Sequence, residues 1–285
     1  MLPWSADLAG RIDEQVIGSE LLRGNPLGDP HERPLPVYLP PGYDDEPDRR
    51  YPSVYLLQGY GGHVAMWRNR SAFRQPFPEA ADAVFARGEA PPAIVVYVDA
   101  WTGYGGSQFG AMATHAGDTL YEYCYIPGFA SAARHLRRYG GDIWRWWEDF
   151  GSRVAFTKEE DMPLLGLLGV AACFSPNADG TVDLPFDPAT GVLRSAVWQR
   201  WLDWDPVRMV PAYADALRGL RAIWIDAGTR DEYYLDLGAE AFRSALRDVG
   251  VADGLVHFEL FEAGHGGIDY RYPMSLAWLC GRITK

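Results

Sequence analysis

FEAGHGGIDYRYP, residues 261–273, reads as a strand ending in Phe261 that runs into a glycine-bracketed histidine, His265, and then into a helix. Imidazole titrates near neutrality, so it can take up and return a proton within one turnover. Gly264, Gly266 and Gly267 let the backbone turn tightly and leave the ring uncrowded. The segment upstream, RAIWIDAGTRDEYYLDLGAEAF at 221–242, has the same form: an apolar strand, an acid-rich loop containing glycine, then an amphipathic helix. Two successive strand-loop-helix units, one delivering a carboxylate and the next a histidine, make the back half of an acid-histidine-nucleophile relay.

Working outward from that pair, the chain alternates strands and helices. Segments 11–22 and 33–39 read as two strands joined by the turn-rich GNPLGDPHE, with Pro34 and Pro36 placing the second near a sheet edge, since proline donates nothing to a ladder. SVYLLQGYGG (53–62) is a short apolar strand ending in glycines, and its turn opens backbone N–H groups at the carboxyl end of a sheet, where open α/β folds bind ligands. A helical crossover at 79–88 leads to the buried strand AIVVYVDA (93–100). The rhythm then breaks. WTGYGGSQ (101–108) is followed at once by FGAMATHAGD, a further apolar strand, whereas parallel neighbours need a crossover of roughly a dozen residues or more. From 119 to 205 the pattern is irregular and aromatic, with six of the eleven tryptophans between Trp144 and Trp204. It reads as a cap over the carboxyl edge of the sheet, its tryptophans either core packing or the lining of an apolar, aromatic pocket. A helix at 207–220, a strand at 221–226, a helix at 233–248, a strand at 256–261 and a final helix from about 272 complete a single domain spanning 1–285, with 119–205 as the cap within it.

Composition narrows the function. At 48% hydrophobic residues the 285-residue chain can bury a sizeable core, and a net charge of -12 argues against nucleic acid or an anionic membrane as partner. No apolar run reaches the roughly 18 residues that span a bilayer, and the N-terminus lacks a charged start before an apolar stretch, so the expectation is a soluble, cytoplasmic protein. Cys124, Cys173 and Cys280 are widely spaced, odd in number and without a C-x-x-C, which points to buried small residues rather than a disulfide framework or a zinc site. No metal and no other cofactor is expected.

VYLPPGYDDEPDRRYPSVYLLQGYGG, IDAGTRDEYYLDLGAEAF and FEAGHGGIDYRYP together, in this order and over most of the chain, resemble the esterase-D-like branch of the α/β-hydrolases, which includes enterochelin-esterase-like proteins. The resemblance implies a mostly parallel sheet with helices on both faces. It also implies a serine esterase acting on a small-molecule ester, with Asp231 as the acid, His265 as the base, and Tyr60 and Gly61 in the turn whose backbone donors help form the oxyanion hole. Asp226, at the strand end, is the alternative orienter of the histidine, and Asp236 a third. His63 and His115 follow strand-like segments and could face the same crevice, while Asp99 and Asp118 end strands and suit capping.

The family's nucleophile elbow, G-x-S-x-G, is not in this sequence. Ser107 comes nearest, with Gly105 two places before it but Phe109 two places after. Because GYGGSQF resembles the loop after the preceding strand, the segment through the elbow helix is missing relative to the family, at the place where the crossover is too short. Losing a central strand and its helix, at about 25 cal/mol per Å² of apolar area, removes more than a domain's net stability unless 93–100 and 109–114 pair anew. The newly exposed edge favours association into homo-oligomers. Two functions follow: ester hydrolysis with Ser107 as nucleophile, or a pseudoenzyme that keeps the acid-histidine pair and a ligand pocket without turnover.

Overall fold

The computed structural model describes residues 4–106 and 126–283. Ser107, the strand expected at 109–114, His115, Asp118 and Cys124 lie outside the described residues, and with them the re-pairing expected of 109–114.

The strands are β1 (Arg11–Gly18), β2 (Glu32–Leu39), β3 (Ser53–Leu56), β4 (Ile94–Tyr97), β5 (Ile223–Gly228) and β6 (Val256–Phe261). The helices are α1 (Phe77–Ala86), α2 (Ile126–Leu136), α3 (Ile143–Gly151), α4 (Asp161–Phe174), α5 (Ser195–Leu202), α6 (Pro206–Met209), α7 (Ala214–Arg218), α8 (Leu235–Asp248) and α9 (Arg271–Ile283). Among the described residues they form a four-stranded sheet in the order β1-β2-β4-β3 and a separate two-stranded sheet, β5-β6.

The expectation of a mostly parallel sheet is corrected. β1 with β2 and β2 with β4 run antiparallel, while β3 with β4 and β5 with β6 run parallel. The parallel pairs are those linked through a helix, α1 and α8 respectively, and the antiparallel β1-β2 pair is joined through turns without one. The edge position of the proline-bearing strand is also corrected. β2 lies inside the sheet, but β4 reaches only Val37 and Tyr38, so Pro34 and Pro36 have a ladder partner on the β1 side alone. Their missing N–H groups therefore cost no bond to β4. The first strand ends at Gly18, after which turns carry the chain to His31, whose carbonyl accepts the Ser19 N–H at 2.8 Å.

Three apolar clusters hold these parts. Phe77, Ala81, Val84 and Phe85 of α1 pack over Tyr38, Val95 and Tyr97, and Leu276 and Cys280 of α9 join the same cluster. Since α9 also follows β6, it ties the two-stranded sheet to the four-stranded one. Leu246 on α8 packs with Val210 and Val251 beside Ile223 and Ile225 of β5.

The third cluster belongs to α2–α5, where irregular structure was expected over 119–205. Trp146, Trp201, Phe186, Leu164 and Leu168 are wholly buried there. The Asp142 carboxylate caps α3 by accepting the Trp144 N–H at 2.8 Å. Buried Asp161 opens α4 and accepts two hydrogen bonds from Arg153, at 2.6 and 2.7 Å. The Tyr60 ring crosses from the turn after β3 into this layer. It lies against Gly169 of α4, where a Cβ would stand 2.2 Å from the ring, and its hydroxyl donates toward the Leu165 carbonyl at 2.6 Å. The helix expected at 207–220 is two short ones, α6 and α7, parted at Pro211, which offers no N–H to continue the first.

Candidate active site

β5 and β6 are register partners from Ile223↔Val256 to Gly228↔Phe261, so the loops that follow them leave the same end of the sheet side by side. Backbone bonds then join the loops: the Thr229 N–H donates to the Phe261 carbonyl and the Arg230 N–H to the Ala263 carbonyl, each at 2.9 Å. Gly228 permits this approach. A Cβ there would stand 2.4 Å from the Ala263 oxygen and 2.8 Å from that of Gly264. Beyond it Asp231 donates its N–H to the Gly228 carbonyl at 3.1 Å, and Tyr234, with φ 57°, turns the chain into α8 through the left-handed region.

The result brings two of the candidate residues together. His265 Nδ1 lies 3.0 Å from Asp231 Oδ2. An ionised carboxylate only accepts, so Nδ1 carries the proton and donates it to Asp231, which leaves the Nε2 lone pair for a reacting group. The Asp231 side chain is 5% exposed and that of His265 49%, so the acid is sheltered while the base faces outward. The other Asp231 oxygen, Oδ1, accepts the Tyr233 N–H at 2.7 Å. The Tyr233 ring stands edge-on to the imidazole with 4.8 Å between centroids. The backbone N–H of His265 donates to Glu232 Oε2 at 3.1 Å. Glu232's own backbone N–H, and then that of His265, hold its carboxyl below the usual carboxylate range. Glu232 and Tyr233 have no distinguishing mark in the sequence: both sit in an acid-rich loop, and only the fold brings them to His265, one at its backbone N–H and the other at its ring.

Asp226 does not orient the histidine. It accepts from Arg271 Nε at 2.8 Å, and it lines, with Asp231 and His265, an open cleft of about 250 Å³ whose other walls include Val207, Leu235, Phe242 and Ile268. Asp236 lies in the first turn of α8, where a negative charge suits the helix end.

Tyr60 and Gly61 do not line this cleft. They sit in the turn after β3, the Tyr60 side chain committed to Leu165 and Tyr104 and its hydroxyl pKa pushed up by burial. Gly61 has φ 78°, and no acceptor among the described residues takes the backbone N–H of either. His63 caps a short 3-10 helix, its Nδ1 accepting the Ala65 N–H at 3.2 Å. Asp99 pairs with Arg33 at 2.9 Å beside the sheet. Among the described residues no Ser, Thr or Cys side chain bonds to His265. Cys280 is buried in the α1–α9 contact, its thiol pushed up to about 11 by desolvation.

For a metal, His135, Glu159 and Glu160 bring ligand atoms within 4.8 Å of one another among the described residues. The Arg138 guanidinium already occupies both carboxylates, at 2.8 Å to Glu159 and 2.9 Å to Glu160. No described helix is long and apolar enough to cross a membrane.

No family model and no curated protein matches the chain. Among solved structures it is similar to a ferulic acid esterase, at 17% identity and a TM-score of 0.49 over 98% of each chain. The CE1 ferulic acid esterase of Anaeromyces mucronatus is 15% identical with a TM-score of 0.41, over 98% of this chain and 91% of that one. The enterochelin esterase of Shigella flexneri is 15% identical with a TM-score of 0.42, over 97% of this chain and 59% of that one.

Proposed function

We propose that this chain hydrolyses carboxylic esters of small molecules by a serine-histidine-aspartate mechanism. The observation that carries the reading is the His265 Nδ1–H bond to sheltered Asp231, 3.0 Å long, on adjacent loops at the carboxyl ends of parallel strands, with the imidazole half-exposed. A carboxylate held behind an outward imidazole fixes the tautomer that can accept a proton and stabilises the imidazolium once formed. Ser107 is the proposed nucleophile. Its Oγ attacks the ester carbonyl as its proton passes to His265 Nε2; the proton then goes to the departing alkoxide, leaving an acyl-serine that water hydrolyses by the same relay. The proposed oxyanion donors are the backbone N–H groups of Tyr60 and Gly61, each such donor worth about 3 to 4 kcal/mol in the transition state. The proposed location is cytoplasmic, and the proposed organisation one domain with 119–205 as a cap.

The missing G-x-S-x-G favours a second reading, a ligand-binding pseudoenzyme that retains the acid-histidine pair. Fluorophosphonate labelling with peptide mapping, beside a p-nitrophenyl acetate assay, separates the two. Label on Ser107 that disappears in Ser107→Ala and His265→Ala carries the hydrolase reading. A folded, monodisperse sample with neither label nor turnover sinks it.

A further inference from the structure

Arg271, the first residue of α9, is buried to 6% side-chain exposure, yet neither the relay nor the core requires a cation there. Its position follows from the sheet. Asp226 and Glu259 are register partners across β5 and β6, and two like charges directly opposite one another on a ladder repel. Arg271 resolves that conflict: Nε donates to Asp226 at 2.8 Å, while Nη2 and Nη1 donate to the two Glu259 oxygens at 2.5 and 3.3 Å. Glu259 first, and then Asp226, raises the guanidinium pKa further. The guanidinium also lies over the Phe261 ring, 4.2 Å from its centroid. Glu259 and Phe261 are two apart on one strand and so present the same face. One side chain therefore grips β5, β6 and the last residue before the histidine loop, while its own backbone ends that loop, donating to the Ile268 carbonyl at 2.9 Å.

We propose that Arg271 is a positioning residue for His265: it closes the loop 262–270 onto the sheet from both ends and neutralises the Asp226 carboxylate that shares the cleft with the imidazole. This rests on the reading of His265 as the base. Of the packed elements, the loop after β5 sets Asp231 and Tyr233 against the imidazole and Glu232 against the His265 backbone N–H, and β5 itself brings Asp226 into the same cleft. Of these, Asp226 is the carboxylate whose charge Arg271 governs. With the guanidinium gone, the Asp226 carboxylate is left uncompensated in the cleft and attracts a proton onto the ring, and the loop loses its tether.

The test is NMR titration of the His265 imidazole, with its Nδ1–H resonance followed in parallel, in the wild type, Arg271→Met and Arg271→Lys. Arg271→Lys keeps the charge and gives up the planar, bidentate grip, which lets it report even where Arg271→Met folds poorly. In Arg271→Met the expected result is an imidazole proton affinity raised about tenfold, reversed in the Asp226→Asn/Arg271→Met double variant. In Arg271→Lys it is a broadened or lost Nδ1–H resonance. A folded Arg271→Met or Arg271→Lys protein in which titration and resonance both match the wild type overturns the proposal. Ester turnover is read separately: a wild type without turnover whose imidazole still responds to Arg271 refutes the esterase reading and leaves the positioning role standing.

Discussion

Asp231→Asn tests the relay at its best-defined atom pair. Asp231 Oδ1 accepts the Tyr233 N–H at 2.7 Å and Oδ2 faces His265 Nδ1 at 3.0 Å. An asparagine in the same place has one acceptor and one donor to put at these positions. Its oxygen must meet the Tyr233 N–H, because the reverse orientation sets two donors against each other in a sheltered site. The amide NH₂ then faces Nδ1, which must accept, and the ring proton moves to Nε2. An imidazole protonated at Nε2 cannot take a proton from a nucleophile. Wrong-tautomer variants of such relays lose about 10⁴ in kcat, equivalent to about 5 kcal/mol of transition-state stabilisation. The assay is kcat for p-nitrophenyl acetate at neutral pH, with ¹⁵N spectra of the histidines reporting the tautomer. Turnover within tenfold of the wild type, or a His265 still protonated at Nδ1, would refute the reasoning.

Three further outcomes are expected. Arg153→Met should cost about 3 to 5 kcal/mol in urea unfolding, since it strands an Asp161 carboxylate that is only 1% exposed. Arg153 first, then the Lys158 and Thr157 backbone N–H groups, hold that carboxyl well below its ordinary value, so its stabilisation is complete above about pH 4 to 5 and drains away as the pH falls below the unfolded value near 3.9. The gap between wild type and variant should therefore be widest at neutral pH and narrow in acid, and a constant gap would count against the pair. Gly228→Ala should cost about 1 to 3 kcal/mol by thermal melt and displace the His265 Nδ1–H resonance, because its Cβ meets the Ala263 oxygen at 2.4 Å. Gly169→Ala should cost a similar amount, about 1 to 3 kcal/mol, by driving the Tyr60 ring out of its seat on α4, where the added Cβ would stand 2.2 Å away, while leaving the Asp231–His265 resonance in place.

What was legible in the sequence was local. The strand spanning 256–261, the glycines around His265 and the acid of GTRDEYYL are each set by a few neighbouring residues, and the fold pairs His265 with Asp231 as the motif order implies. The helices of 126–202 were hidden for a physical reason. α4 is apolar around its whole circumference and so lacks the one-sided stripe by which a helix is read, and α5 and α3 are short segments whose tryptophans fit core and pocket alike. The interior position of β2 was hidden too, since it depends on the β2–β4 ladder ending at Val37, next to Pro36, rather than on any property of Pro34 or Pro36. Arg271 was illegible because a buried arginine looks like a surface one until the register of β5 and β6 puts Asp226 opposite Glu259.

The amides of Thr229 and Arg230 are held by carbonyls at the end of β6 and in the loop that follows it rather than by their own loop. They exchange with solvent when the two loops part, and the same parting separates Asp231 from His265. Their deuterium exchange rate thus clocks the lifetime of the assembled pair, without any substrate. Slow exchange there would describe an acid and base that wait as one unit, ready before a reactant arrives; fast exchange would describe a pair assembled anew at each encounter.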